Sequence, residues 1–160
     1  MALVALRYDL RSPSWAATPH AEQYRTCLEQ AQWGDKLGFT ALTLSEHHGW
    51  DDGYMSSPFT MAAAVAARTE RIAITVAAAL LPLHDPIRLA EQIATVDLIA
   101  GGRVNFVAGA GYADHEFVMA GVEKKARGRL LEEAIEVMRK AWTGEPFEWQ
   151  GRTVTVTPTP

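Results

Sequence analysis

Glu46, His47 and His48 stand together at the end of the apolar run Phe39-Thr40-Ala41-Leu42-Thr43-Leu44, with Gly49-Trp50 directly after them. A short apolar run of this kind reads as a buried strand. Parallel α/β folds place their chemistry at the carboxyl ends of strands. Burying three ionisable groups without partners is costly, so these residues are expected to line a cleft rather than fill a core. Two chemistries are open to them. One is proton transfer through an imidazole, which titrates near neutral pH. The other is metal ligation, for which His20, His47, His48, His84, His115 and Glu46 are the donors available. Adjacent histidines rarely converge on one ion, and neither a His-x-x-x-His pair nor a cysteine pair occurs, so no metal site is expected. If the strand's alternation persists, His47 and His48 point to opposite sides. His48 and Glu46 then serve structure, Glu46 by holding an imidazole in one tautomer.

The elements that must position these residues repeat along the chain. Val4-Ala5-Leu6, Phe39 to Leu44, Ile72 to Leu81 and Val104 to Val107 read as strands, with starts roughly 32 to 36 residues apart. That interval is one strand plus one crossover helix. Thr18-Pro19, Ser57-Pro58 and Asp85-Pro86 each put a capping oxygen before a proline at the first helical position. Tyr24, Cys27, Leu28 and Ala31 form one helical face; Leu89, Ile93, Val96 and Ala100 form another. Leu131, Ala134, Ile135, Met138 and Trp142 form a third, closed by Gly144 as a left-handed cap. The second helix is expected over Pro58 to Arg68, preceded by an exposed, mobile loop from Gly53 to Ser57. Gln150-Gly151 between alternating runs predicts a small hairpin over residues 145–157. Strands joined through helices make a parallel sheet with right-handed crossovers. An open doubly wound sheet and part of a (β/α)₈ barrel both satisfy this pattern.

At 160 residues the chain has the size of one domain. Its apolar fraction of 48% and charged fraction of 21% are those of a globular protein and argue against disorder. A net charge of −4, with no basic block longer than Lys124-Lys125, argues against a nucleic-acid partner. Cys27 is the one cysteine, which excludes an internal disulfide and fits a cytoplasmic setting. The apolar start meets Arg7 too early for a signal peptide. Met61 to Ala67 and Val76 to Leu83 are too short to span a membrane.

Several motifs, in order, resemble the luciferase-like family of flavin-dependent monooxygenases and deazaflavin-dependent oxidoreductases. They are Glu46-His47-His48, then Pro82 and Asp85-Pro86-Ile87-Arg88-Leu89-Ala90-Glu91-Gln92 with Asp97. Gly101-Gly102-Arg103, Gly109-Ala110-Gly111, Glu116-Phe117, Gly121 and Trp142-Thr143-Gly144-Glu145-Pro146 follow. The resemblance implies an α/β fold built of parallel (β/α) units of a TIM-type barrel, about four of eight being present. Residues 1–160 are then the amino-terminal half of such a barrel, and either a fragment or a half that pairs with a second copy as a homo-oligomer. It implies FMN, or alternatively a deazaflavin coenzyme, bound at the carboxyl ends of the strands, and a small organic substrate. His47 matches the family's acid/base histidine. Ala77 and Ala78 match the place where family members bulge under the flavin, some with a non-proline cis peptide. Gly109-Ala110-Gly111 is expected to offer the same close approach; it lacks the further glycine and acid of a dinucleotide fingerprint. Ala110 stands where bacterial luciferases have an arginine, and Tyr112 where deazaflavin sugar-phosphate dehydrogenases have a glutamate, so neither activity is implied. Glu116 matches a family acid and is expected on an exposed helix face. The alternative to an oxidoreductase is a non-catalytic half-barrel that acts in assembly.

Overall fold

The computed structural model describes residues 3–160. Four strands, β1 (Ala5–Tyr8), β2 (Ala41–Leu44), β3 (Ala73–Leu80) and β4 (Val104–Gly109), form one sheet in sequence order. Every pairing in it is parallel. Helices α1 (His20–Leu37), α2 (Pro58–Ala66) and α3 (Pro86–Ala100) make the crossovers. After β4 come the short α4 (Asp114–Ala120), the longer α5 (Arg127–Ala141), and an antiparallel hairpin of β5 (Phe147–Trp149) and β6 (Arg152–Val154). Gln150 and Gly151, both with positive φ, make its two-residue turn.

Alternation along the strands divides the sheet into two faces. Leu42, Leu44, Ile74 and Val76 are fully buried and join Leu6, Val104 and Phe106 in a core with the helices. Removing each such side chain from water stabilises the fold by roughly 1.5–3 kcal/mol. The other face is polar across one register row, where Arg7, Thr43, Thr75 and Asn105 are neighbours in turn. This is the face that a closed barrel of the expected type encloses.

At the amino-terminal ends of the strands the ties are polar. The Asp35 carboxylate accepts hydrogen bonds from the amides of Glu70, Arg71 and Ile72 at 2.7–3.1 Å. Arg103 donates to the carbonyls of Ala66, Thr69, Ile72 and Ala100 and to the Thr69 hydroxyl. With that end locked by backbone contacts, the opposite end is left for the cleft.

Three local expectations are corrected. Of the three proline-linked caps only Asp85 forms, accepting from the amides of Ile87 and Arg88. Pro19 itself occupies the cap position of α1, and Ser57 makes no side-chain cap bond. Asp85→Ala is therefore expected to cost about 1 kcal/mol in urea denaturation, while Thr18→Ala and Ser57→Ala stay close to zero. Second, α2 ends at Ala66, two residues before Arg68. Third, the loop before α2 is not simply exposed. Met55 is buried, its amide donates to the Asp9 carbonyl, and its own carbonyl accepts from the His47 amide.

Candidate active site

At the carboxyl end of the sheet a cleft of about 340 Å³ opens between the ends of β2, β3 and β4. Its lining includes His47, Ala77, Ala78, Gly109, Ala110 and Gly111, which are all six residues singled out in the sequence. Arg7, Ser45, Tyr54 and Tyr112 complete much of the wall. The Ala77–Ala78 peptide is cis, and the β3–β4 register shifts between Ala77 and Ala79. A Cβ on Gly109 would lie 2.8 Å from the Ala78 Cβ and 3.3 Å from the Ala79 carbonyl oxygen. The floor is thus backbone with little covering it. Gly109→Ala has to push this bulge aside and is expected to lower stability by about 1–3 kcal/mol in thermal or urea melts.

Two buried carboxylates divide the histidines between them, Glu46 taking His48 and His84 and Glu116 taking His47. Glu46, 2% exposed, accepts at one oxygen from His48 Nε2 (2.9 Å) and His84 Nε2 (2.6 Å), and at the other from the Leu80 amide (2.8 Å). Burial alone would raise its pKa. The hydrogen bonds from His48 and His84, the charge of His84 and the Leu80 amide reverse that and hold it at about 2. The hydrogen bond to Glu46 in turn raises His48 against the opposing effect of burial, with the charges of Glu46 and Glu116 adding to it. Glu46, His48 and His84 each offer one ligand atom within 4.8 Å of the others, a spacing that a metal ion could bridge. The contacts at 2.6 and 2.9 Å are direct hydrogen bonds, and they account for the cluster as a clamp joining the ends of β2 and β3.

The second carboxylate corrects an expectation. Glu116 does not lie on an exposed helix face; it is completely buried on the inner side of α4. Its Oε1 accepts from His47 Nδ1 and from the His48 amide, both at 2.8 Å. The neighbouring histidines therefore diverge, His47 into the cleft wall and His48 onto Glu46. Around the His47 ring stand Tyr54, Tyr112 and Trp50, edge-on at centroid distances of 4.7, 5.4 and 5.7 Å. The pairing of Glu116 with His47 and of His84 with Glu46 is not visible locally in the sequence, because the partners lie 69 and 38 positions away.

Size does not select this cleft. A hollow of about 490 Å³ lies between β1 and α1, and one of about 590 Å³ lies outside α2 and α3. In the first, Arg11 is already paired with Asp52 at 2.6 Å, and burial pushes the Cys27 thiol up to about 12, far from a reactive thiolate. The second is a groove on the outer helical surface. Of these three, the cleft at the strand ends is the one that joins an imidazole to closely approaching backbone.

Comparison with known proteins bears on the family and the fold. The family model described as luciferase-like monooxygenase matches residues 10–160. Limonene 1,2-monooxygenase of Rhodococcus erythropolis is 34% identical over 118 residues, 74% of this chain and 30% of that protein. The crystal structure of the monooxygenase RslO1 from Streptomyces bottropensis superposes with a TM-score of 0.87 at 27% identity, over 99% of this chain and 49% of that one. The oxygenating constituent of 3,6-diketocamphane monooxygenase from Pseudomonas putida, solved in complex with FMN, shares the fold with a TM-score of 0.84 at 24% identity, over 98% of this chain and 44% of that one. The chain thus spans just under half of these solved structures, and 30–40% of the curated relatives it matches.

Proposed function

We propose, from the premise that this chain belongs to the luciferase-like monooxygenase family, that the cleft at His47 is the ring-facing side of a flavin site in an oxidoreductase acting on a small organic substrate. One observation carries the reading: His47 and five small residues from the ends of two other strands meet in a single cleft. The residues present suit a flat aromatic ring. Ala77, Ala78 and Gly109 offer backbone at close range, and the Ser45 hydroxyl, buried without a partner, lines the same space. FMN is the flavin that this reading favours, with a deazaflavin coenzyme as the alternative; when bound, it supplies the oxidation–reduction chemistry. His47 holds or moves the proton that accompanies substrate oxidation. The rings of Trp50, Tyr54 and Tyr112 pack around His47 at steep angles.

Arg7 is the one guanidinium in this cleft's lining, so the flavin phosphate is assigned mainly to residues outside these four units. The free edges of β1 and β4 call for further strands, since unpaired edges invite pairing. In the present reading a second half-barrel supplies them, either from further residues of the same protein or from a second copy of the chain. The buried thiol of Cys27 fits a cytoplasmic protein. No helix among the described residues is long and apolar enough to cross a membrane.

Calorimetric titration with FMN and with a deazaflavin coenzyme tests the reading, on the chain and on a complete barrel bearing it. The barrel is expected to bind FMN with a Kd of roughly micromolar or below, and the isolated chain at least about tenfold more weakly. A complete barrel that binds neither cofactor would overturn the flavin site and leave the non-catalytic assembly module in its place.

A further inference from the structure

Glu116 is completely buried behind His47, and it is placed oddly for a structural group. A buried carboxylate is stable only when its oxygens are hydrogen-bonded. Here Oε1 carries both contacts, from His47 Nδ1 and the His48 amide, while the buried Oε2 has no partner. A latch between α4 and the loop after β2 needs only the bond to the His48 amide. A neutral side chain would serve that purpose without a buried charge. What the carboxylate adds is its contact with the His47 ring.

We infer that Glu116 is a positioning residue that acts through His47, fixing the imidazole with its proton on Nδ1 and its free nitrogen toward the cleft. A carboxylate oxygen only accepts, so Nδ1 must be the donor. Among the described residues Nε2 has no hydrogen-bond partner, which leaves its lone pair for a proton from a bound molecule. When Nε2 takes that proton, the adjacent carboxylate stabilises the resulting imidazolium. The edges of Tyr54, Tyr112 and Trp50 restrict the ring's rotation, so the nitrogen stays aimed. The inference rests on His47 being the proton-transfer group proposed above, but its test needs no flavin. Failure of flavin binding and failure of this arrangement are therefore separate results.

Long-range ¹H–¹⁵N correlation spectra of the ¹⁵N-labelled chain, at about pH 9 where imidazoles are neutral, report which ring nitrogen carries the proton. His47→Asn assigns the His47 signals. In the wild-type chain His47 is expected wholly in the Nδ1–H form. Glu116→Gln retains that form, because the amide oxygen still accepts; Glu116→Ala releases it to a mixture in which Nε2–H predominates. A purely structural Glu116 would lower the melting temperature of the Ala variant without changing the tautomer. A folded Glu116→Ala chain with unchanged His47 signals would overturn the inference. So would a wild-type His47 protonated on Nε2, a result that decides the matter even if the Ala variant does not fold.

Discussion

Replacing His47 with Asn is expected to reduce turnover of the complete barrel by about 10²-fold or more, the scale of lost general acid–base catalysis. Asn approximates the size of the ring's near half and still donates a hydrogen bond to Glu116, but it does not titrate near neutral pH. Thermal melting should change little, because the His47 side chain lies at the cleft wall, 15% exposed, rather than in the core. His48→Asn should do the reverse. It removes a hydrogen bond to the buried Glu46 and so lowers the melting temperature, with a smaller effect on rate. Turnover and melts for both variants under one condition separate the roles. If His48→Asn abolished turnover while His47→Asn left it intact, the assignment of His47 to the chemistry would be wrong.

The Glu46 clamp predicts a large dependence of stability on pH. Glu46 is held at about 2 against an ordinary value of 4.5. Its contribution is therefore complete above about pH 4.5 and drains away as pH falls toward 2. A lowering of this size is linked to on the order of 3 kcal/mol of native-state stability. His48 is raised above its ordinary 6.5, so its contribution is complete below pH 6.5 and lost as pH climbs through its folded value. The two together place the greatest stability between about pH 4.5 and 6.5. Urea unfolding across a pH series should show that plateau in the wild-type chain. Glu46→Gln should be less stable throughout it and much flatter toward acid. A wild-type profile that stays level from pH 6 down to pH 3 would exclude the clamp.

Much of this arrangement was legible in the chain because it depends on local patterns. The recurring apolar runs predict the parallel sheet, the faces of α1, α3 and α5 pack as their spacing requires, and Gln150-Gly151 forms the expected hairpin turn. The small residues Ala77, Ala78 and Gly109 are where backbone has to come close. The errors arise where distant contacts decide. Glu116 reads as an exposed helical acid because nothing near it in sequence explains burial; its partner is His47, 69 residues earlier. α4 itself has only seven residues, too few to show a period, although Gly111 and Gly121 with positive φ bracket it and Phe117 beside Glu116 marks an inward face. Thr18 and Ser57 have capping chemistry, but the backbone at those positions does not use their oxygens. Met55 likewise looks like loop and is buried, because its backbone joins the strand ends at Asp9 and His47.

The central claim is that a flavin ring lies against the backbone beside His47, and backbone amide shift mapping tests it most directly. FMN is added to the ¹⁵N-labelled chain up to roughly millimolar concentration, where even a weak site fills. The account predicts shifts centred on His47, Ala77, Ala78, Gly109, Ala110 and Gly111. Shifts centred instead on the hollow at Cys27 and Gln30, or no shifts at all, would contradict it.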